Sequence, residues 1–491
     1  MRNIFIKSFV GITCIAGLAS CGDSWLETKY HNGVDIDSAL DDYKNVGYAL
    51  NGTYYQLQRY YFAGNYMTTF GDIASDIAYW QGNNNHQNAL YQFQYNDTDN
   101  TLYYIWDYGY KVVDNSARVV EACGNLYDHV SNEVAEELHV YEAEARCLRA
   151  YANLCMVNVF AHQVMVNGTS YGNMPGLVIS ENPIPAYSEV TRASLTDTYN
   201  FIVADLEKAV NSFKQYGDRG MSTYFGLASA YGLLARANMY LENWSAAASA
   251  ASNALTTAKI NTLVYTVDGY YKLYSTGTSN NESLFELAID QITNWSANSC
   301  GTLFTTYGYS LSPYLANMYG DDDCRKPLMT EYYEDKMWSN DNEYVGGKFY
   351  YGYGNSALAN NFLVNAPEMF LIEAEAYANQ NQLAQAQDAL LVVAKRNNAI
   401  TSVADLPQTK DALLAFLHDE RARELFQEGF RLFDLRRWDV KANLYAVNAP
   451  EVDWLIKNAD CANIVFPIPA DEINANAGVT QNEGWQNTLP K

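Results

Sequence analysis

Residues that could carry chemistry are easy to find in this chain, yet they do not assemble into a catalytic set. Gly168-Thr169-Ser170-Tyr171-Gly172 has G-x-S-x-G spacing. A nucleophile elbow needs a strand before the serine and a helix directly after it. Here Asn173-Met174-Pro175-Gly176 follows, and the sole downstream histidine, His418, falls in a segment of helical period. The six histidines (31, 86, 129, 139, 162 and 418) are scattered, with no i, i+4 pair of the kind that holds zinc. Asp321-Asp322-Asp323 lacks EF-hand spacing and reads as a solvated acidic loop. No Walker loop or dinucleotide fingerprint occurs. No cofactor, no metal and no catalytic residue is therefore expected. Paired carboxylates are so common in this acidic chain that a glycoside hydrolase stays open only as a less favoured reading.

The densest charge cluster runs from Glu420 to Trp438. Glu420, Arg423, Glu428, Arg431, Asp434 and Arg437 alternate there with Leu425, Phe426, Phe433 and Trp438. Asp419 and Arg423 sit four apart, as partners on one helix face would. Arginine suits planar, shared hydrogen bonding inside a core. The cluster reads as a salt-bridged structural corner rather than an anion site.

Ligand chemistry is more legible. Residues 60–110 contain no Lys or Arg, and residues 265–311 contain only Lys272. Both stretches are rich in aromatics and amides. Sugar rings stack their C–H faces on aromatic planes, and amide side chains read their hydroxyls. Trp80, Asn83, Asn84, Trp295, Tyr307 and Tyr309 are the candidate ligand-binding residues. The lack of cations argues for a neutral oligosaccharide, since a polyanion would want Arg or Lys.

These residues need elements to hold them. Apolar residues recur at three and four over 39–59, 101–122, 133–160, 194–214, 222–241, 244–257, 367–380, 383–397, 409–428 and 430–438, which predicts helices. Residues 222–257 and 367–397 each read as an Ala-rich hairpin of tetratricopeptide type. Between the helices lie long Tyr-, Asn- and Gly-rich stretches at 60–100, 161–190, 259–360 and 442–491. Long loops of this kind carry function more often than structure.

The net charge is −25, which repels nucleic acid phosphates, so no nucleic acid partner is expected. Residues 1–20 have a positive end at Arg2 and Lys7 and a short apolar run, and they close on Leu18-Ala19-Ser20-Cys21. This reads as a lipoprotein signal peptide with Cys21 as the lipid attachment site. Residues 21–38 would form the tether. Six cysteines remain in the body, and buried free thiols or disulfides are both open.

The 420–438 run, E-R-A-R-E-L-F-Q-E-G-F-R-L-F-D-L-R-R-W, resembles the C-terminal signature of the SusD/RagB family. Glu144-Ala145-Arg146-Cys147-Leu148-Arg149-Ala150-Tyr151, Leu234-Ala235-Arg236 with Tyr240-Leu241, and Glu373-Ala374-Glu375-Ala376 resemble its helices in order. The tail Phe466-Pro467-Ile468-Pro469, Glu472-Ile473 and Gln481-Asn482-Glu483-Gly484-Trp485 resembles its closing motif, with Glu483 in place of the usual Pro. The resemblance implies a mainly α fold: tetratricopeptide-like hairpins forming a scaffold over about 39–257 and 361–440, with loop-rich, ligand-facing regions at about 60–100 and 259–360 and few short strands, all within one domain spanning 39–491. It implies a surface lipoprotein of the outer membrane that is not an enzyme. Such a protein captures an oligosaccharide and passes it to a SusC-like TonB-dependent transporter. The alternative is a RagB-like, peptide-binding subunit of a peptide importer.

Overall fold

The three-and-four spacing of apolar residues closes into helices at nearly the expected places. The computed structural model describes residues 39–80, 84–274, 281–330, 347–349, 355–448 and 452–488. Cys21, its leader and tether, and Asn83 lie outside them. The longer helices are α1 (Tyr43–Gln58), α2 (Tyr66–Ile73), α3 (Asn100–Leu126), α4 (Asn132–Phe160), α5 (Leu195–Tyr216), α6 (Leu227–Tyr240), α7 (Trp244–Ala258), α8 (Val267–Tyr274), α9 (Ala366–Asn379), α10 (Leu383–Ala394), α11 (Lys410–Leu425) and α12 (Arg431–Arg437). The fold is mainly α.

Helix starts follow from capping chemistry. The Asp99 carboxylate accepts from the backbone N–H groups of Thr101 and Leu102, which α3 itself leaves unpaired. Ser194 does the same for Asp197 at the start of α5. Ile105, Val112, Val113 and Val119 form the buried stripe of α3, which packs on α4, with α1 against both. From Ala143 onward α4 is buried on nearly every side. Its charged residues there are paired: Glu144 with Arg219 at 2.6 Å, and Arg149 with Asp205 at 2.7 Å.

The two Ala-rich hairpins, α6–α7 and α9–α10, turn in the same way. In the first, Glu242 N–H donates to Met239 O and Asn243 N–H to Asn238 O. In the second, Asn381 N–H donates to Ala378 O and Gln382 N–H to Tyr377 O. Glu242 and Asn381 both take left-handed backbone conformations, φ 52° and 60°. The repeated turn geometry supports a tetratricopeptide-like unit used twice. Buried Ala247, Ala251, Ala374 and Ala378 carry little bulk, which lets α7 lie close on α9.

The strands fall in the loop-rich stretches. β1 (Ala78–Trp80), β5 (Tyr309–Leu311), β7 (Lys441–Val447) and β8 (Asp453–Asp460) form one sheet in the order β5-β1-β7-β8. β2 (Met165–Val166) pairs with β3 (Thr169–Ser170), and β4 (Ser283–Leu287) pairs with β6 (Asn361–Asn365). Ser170 therefore lies in a small exposed hairpin and not on a strand-to-helix elbow, so the G-x-S-x-G spacing carries no nucleophile. Asp323 departs from the solvated loop expected for it: it is buried and ion-paired to Arg325 at 2.7 Å, whereas Asp321 stays exposed. All six body cysteines are free thiols, and only Cys155 is not fully buried.

Candidate ligand-binding site

The salt-bridged corner lies beneath the candidate site and holds one of its strands. Glu420 meets Arg325 at 2.7 Å and also binds Arg423. The expected Asp419–Arg423 pair gives way to this i, i+3 pair, which keeps the Glu420 carboxylate shared between two guanidiniums. Glu428 meets Lys348 at 2.5 Å. Asp434 bridges Arg421 and Arg437, at 2.9 and 2.8 Å, and Arg437 also meets Glu375. A buried charge is tolerable only when paired and hydrogen-bonded, and here each has a partner. Burial alone would raise the Glu375 and Glu420 carboxyls, but the facing arginines hold both down to about 2.

The corner reaches β1 through two aspartates. Asp72, in α2, accepts from the backbone N–H groups of Gln427, Gly429 and Arg431 at 2.7, 3.1 and 3.4 Å. Asp76 accepts from Nε and Nη2 along one edge of the Arg431 guanidinium, at 2.8 and 2.9 Å. The chains touch closely: a β-carbon on Gly71 would lie 2.1 Å from Gly429 O. Gly429 itself has φ 79° and contacts the backbone of Met67 and Thr68. The segment just before β1 is thus clamped to the corner.

β1 then presents Trp80. In the antiparallel pairing of β1 with β5, Trp80 lies opposite Tyr309, so the two rings share a face. Their centroids are 6.1 Å apart at 26°. The Trp80 indole N–H and the Asn84 amide both donate to Tyr307 O, each at 3.0 Å. The Tyr307 ring lies against the His86 imidazole, centroids 3.6 Å apart and nearly parallel. Burial lowers the His86 pKa, so this ring is neutral at pH 7. Trp80, Asn84, His86 and Tyr307 remain half-buried, with surface to offer.

Tyr309 corrects an expectation. It is 0% exposed, and its hydroxyl donates to His86 O at 3.0 Å. It supports Trp80 from behind and offers no surface to a ligand, because the Trp80 and Tyr91 rings pack against it.

Trp295 belongs to a different cluster. Its indole N–H donates to Gln58 O at 2.7 Å. Its ring lies 6.0 Å from both Tyr55 and Tyr60, with the Arg59 guanidinium 4.6 Å above it. Among the described residues Trp295 and Trp80 share no ring contact. Sequence reading missed Arg59, Tyr61, Tyr104, Tyr108 and His86. The tyrosines of α3 look like ordinary half-buried helix positions in sequence, and Arg59 stands one residue outside the cation-free stretch.

This architecture agrees with the comparisons. Residues 301–485 match the model described as SusD family, and residues 24–241 match a second model described as starch-binding associating with outer membrane. The chain belongs to the SusD/RagB family. A SusD superfamily protein of Bacteroides thetaiotaomicron is similar in fold, with a TM-score of 0.77 at 19% identity, covering 90% of this chain and 99% of that one. A SusD superfamily protein of Bacteroides vulgatus gives 0.75 at 22%, with 90% and 99% covered. A SusD-like carbohydrate binding protein of Bacteroides vulgatus gives 0.73 at 17%, with 92% and 98% covered. No curated protein sequence matches the chain.

Proposed function

We propose that this SusD/RagB protein is a cell-surface lipoprotein, anchored through Cys21. It captures an oligosaccharide on the Trp80 face and delivers it to a SusC-like TonB-dependent transporter in the outer membrane. The observation that carries the reading is the fixed, half-exposed Trp80 ring. Its N–H is satisfied by Tyr307 O and its back is supported by Tyr309, so a flat apolar plane is held ready without further ordering cost. Asn84 and the His86–Tyr307 stack border that plane with hydrogen-bonding groups. None of the residues named on this face is a cation or a carboxylate, which favours a neutral sugar there.

The family description places starch binding and outer-membrane association together, and the similar structures include a carbohydrate binding protein. Both support capture over catalysis. The described residues contain no group of three or more potential metal ligands, and none of their helices is long and apolar enough to cross a membrane. Attachment through the Cys21 lipid accounts for membrane association without a helix.

The test is a panel of neutral polysaccharides and their oligosaccharides, titrated calorimetrically onto residues 22–491. Tight binding of a long chain, weak binding of its monosaccharide and no released product is the expected pattern. Cleavage of the bound chain by pure protein would replace capture with hydrolysis. Co-purification with a β-barrel transporter from outer membranes tests the partner.

A further inference from the structure

We infer that the surface around Arg59 and Trp295 is a second sugar subsite, and that it takes a carboxylate-bearing sugar, a uronate. This rests on the reading that the chain binds carbohydrate, and it adds an acidic component to the glycan.

Arg59 follows the last turn of α1, where its backbone is held by Gln56 O. Its guanidinium lies over four rings: Trp295 at 4.6 Å, Tyr55 and Tyr61 at 5.6 Å, and Tyr108 at 5.8 Å. Tyr61 extends the platform, 4.0 Å from Tyr104 and 3.9 Å from Tyr60. Tyr55 is 45% exposed, and the other rings are half-buried. This is a broad aromatic surface with a cation set into it.

Arg59 is one of three described arginines, with Arg192 and Arg436, that have no carboxylate partner. Arg59 Nη1 donates to the Tyr55 hydroxyl at 3.0 Å, while Nε is buried with no acceptor. Among the described residues it has no carboxylate partner. The other described arginines are ion-paired, except Arg192, whose donors go mainly to carbonyl oxygens, and Arg436, which gives both terminal nitrogens to carbonyl oxygens and is fully buried, where no ligand could reach it. In a chain of net charge −25, a half-exposed arginine without a carboxylate has unused capacity for an anion. Lys111, beside Tyr108 at 4.3 Å, is already bound to Asp107.

A planar guanidinium matches a planar carboxylate in a two-point pair. The tyrosine rings give the C–H faces of a sugar a surface beside it. A uronate supplies both parts in one residue, which neither a neutral hexose nor a small free anion does.

The test uses oligosaccharides from polygalacturonate, alginate, hyaluronan and glucuronoxylan, each beside its carboxyl-reduced form, with a sulfated carrageenan oligosaccharide as the second anion. Binding to residues 22–491 is followed by calorimetry and by tryptophan fluorescence, with Trp295→Phe identifying the local signal. At least one uronate oligosaccharide is expected to bind. Carboxyl reduction and Arg59→Gln should each weaken it by about ten-fold or more, the range of a charge-assisted pair. Trp80→Ala should leave that dependence on the carboxylate intact. Equal binding of acidic and reduced forms, indifference to Arg59→Gln, preference for sulfate, or silence across the acidic set overturns the inference. If neutral glycans still bind through Trp80 while uronates do not, only this inference fails. If no glycan of either kind binds, the capture reading fails with it.

Discussion

Trp80 and Asn84 converge on one acceptor: indole N–H and amide N–H both donate to Tyr307 O at 3.0 Å. The shared carbonyl sets the angle between an aromatic plane and the amide beside it. Removing Asn84 leaves Tyr307 O still served by the indole, and it frees the His86 backbone N–H, which donates to Asn84 Oδ1 at 3.1 Å, at a part-buried position that water can reach. Asn84→Ala should therefore change the melting temperature by less than about 2 °C, while weakening glycan binding about three- to ten-fold through lost hydroxyl contacts. Differential scanning calorimetry and titration of the same samples separate the two effects.

Arg431 links the corner to the strand that carries Trp80. Arg431→Met would leave Asp76 buried without its partner, at a cost of about 3–5 kcal/mol. It would also loosen the start of β1. Denaturant unfolding should show the loss of stability, and glycan affinity should fall in the protein that remains folded. An unchanged affinity would mean that the clamp does not position Trp80.

Glu375 and Glu420 set an acid limit. Their folded values, about 2, lie below the unfolded carboxylate value of about 4.3. A depressed pKa contributes stability above the unfolded value and loses it as pH falls through the folded one. Stability should therefore drop between about pH 4.5 and pH 2. Arg437→Met should reduce the Glu375 share of that drop in a pH series of denaturant midpoints.

Glu373 behaves in the opposite way. It is buried, and burial pushes its carboxyl up to about 7 against a lesser pull from Ser252. Here the unfolded chain releases the proton first, so stability declines as pH rises from about 4.5 to 7. Glu373→Gln keeps the shape and removes the charge. It should raise the melting temperature at pH 8 and leave it nearly unchanged at pH 4.

Helices such as α3 and α5 were readable in the sequence because their burial is one-sided and periodic. The Ile105–Val119 stripe and the Ala-rich hairpins each appear within a residue or a few of the structure. The corner was readable because so many charges among large apolar residues must pair. What escaped depends on contacts distant in the chain. Trp80 and Tyr309 are 229 positions apart by their numbers, and nothing local distinguishes the ring that faces solvent from the one behind it. Arg59 is hidden for a related reason: it stands one residue before the cation-free stretch 60–110, and its guanidinium reaches over Tyr61 and Tyr108 within it. In the β7–β8 hairpin β7 alternates, with Ala442, Leu444 and Ala446 turned inward, but β8 does not, because an extra residue between Ile456 and Ala459 shifts the register opposite Ala442 and Leu444.

The most direct measurement of the central claim is the affinity of residues 22–491 for a graded series of one oligosaccharide, compared with Trp80→Ala. Capture on the Trp80 face predicts affinity that rises with chain length and falls at least about ten-fold in the variant, with the fold intact by circular dichroism. Equal affinity in the two proteins would contradict the account and move capture away from this face.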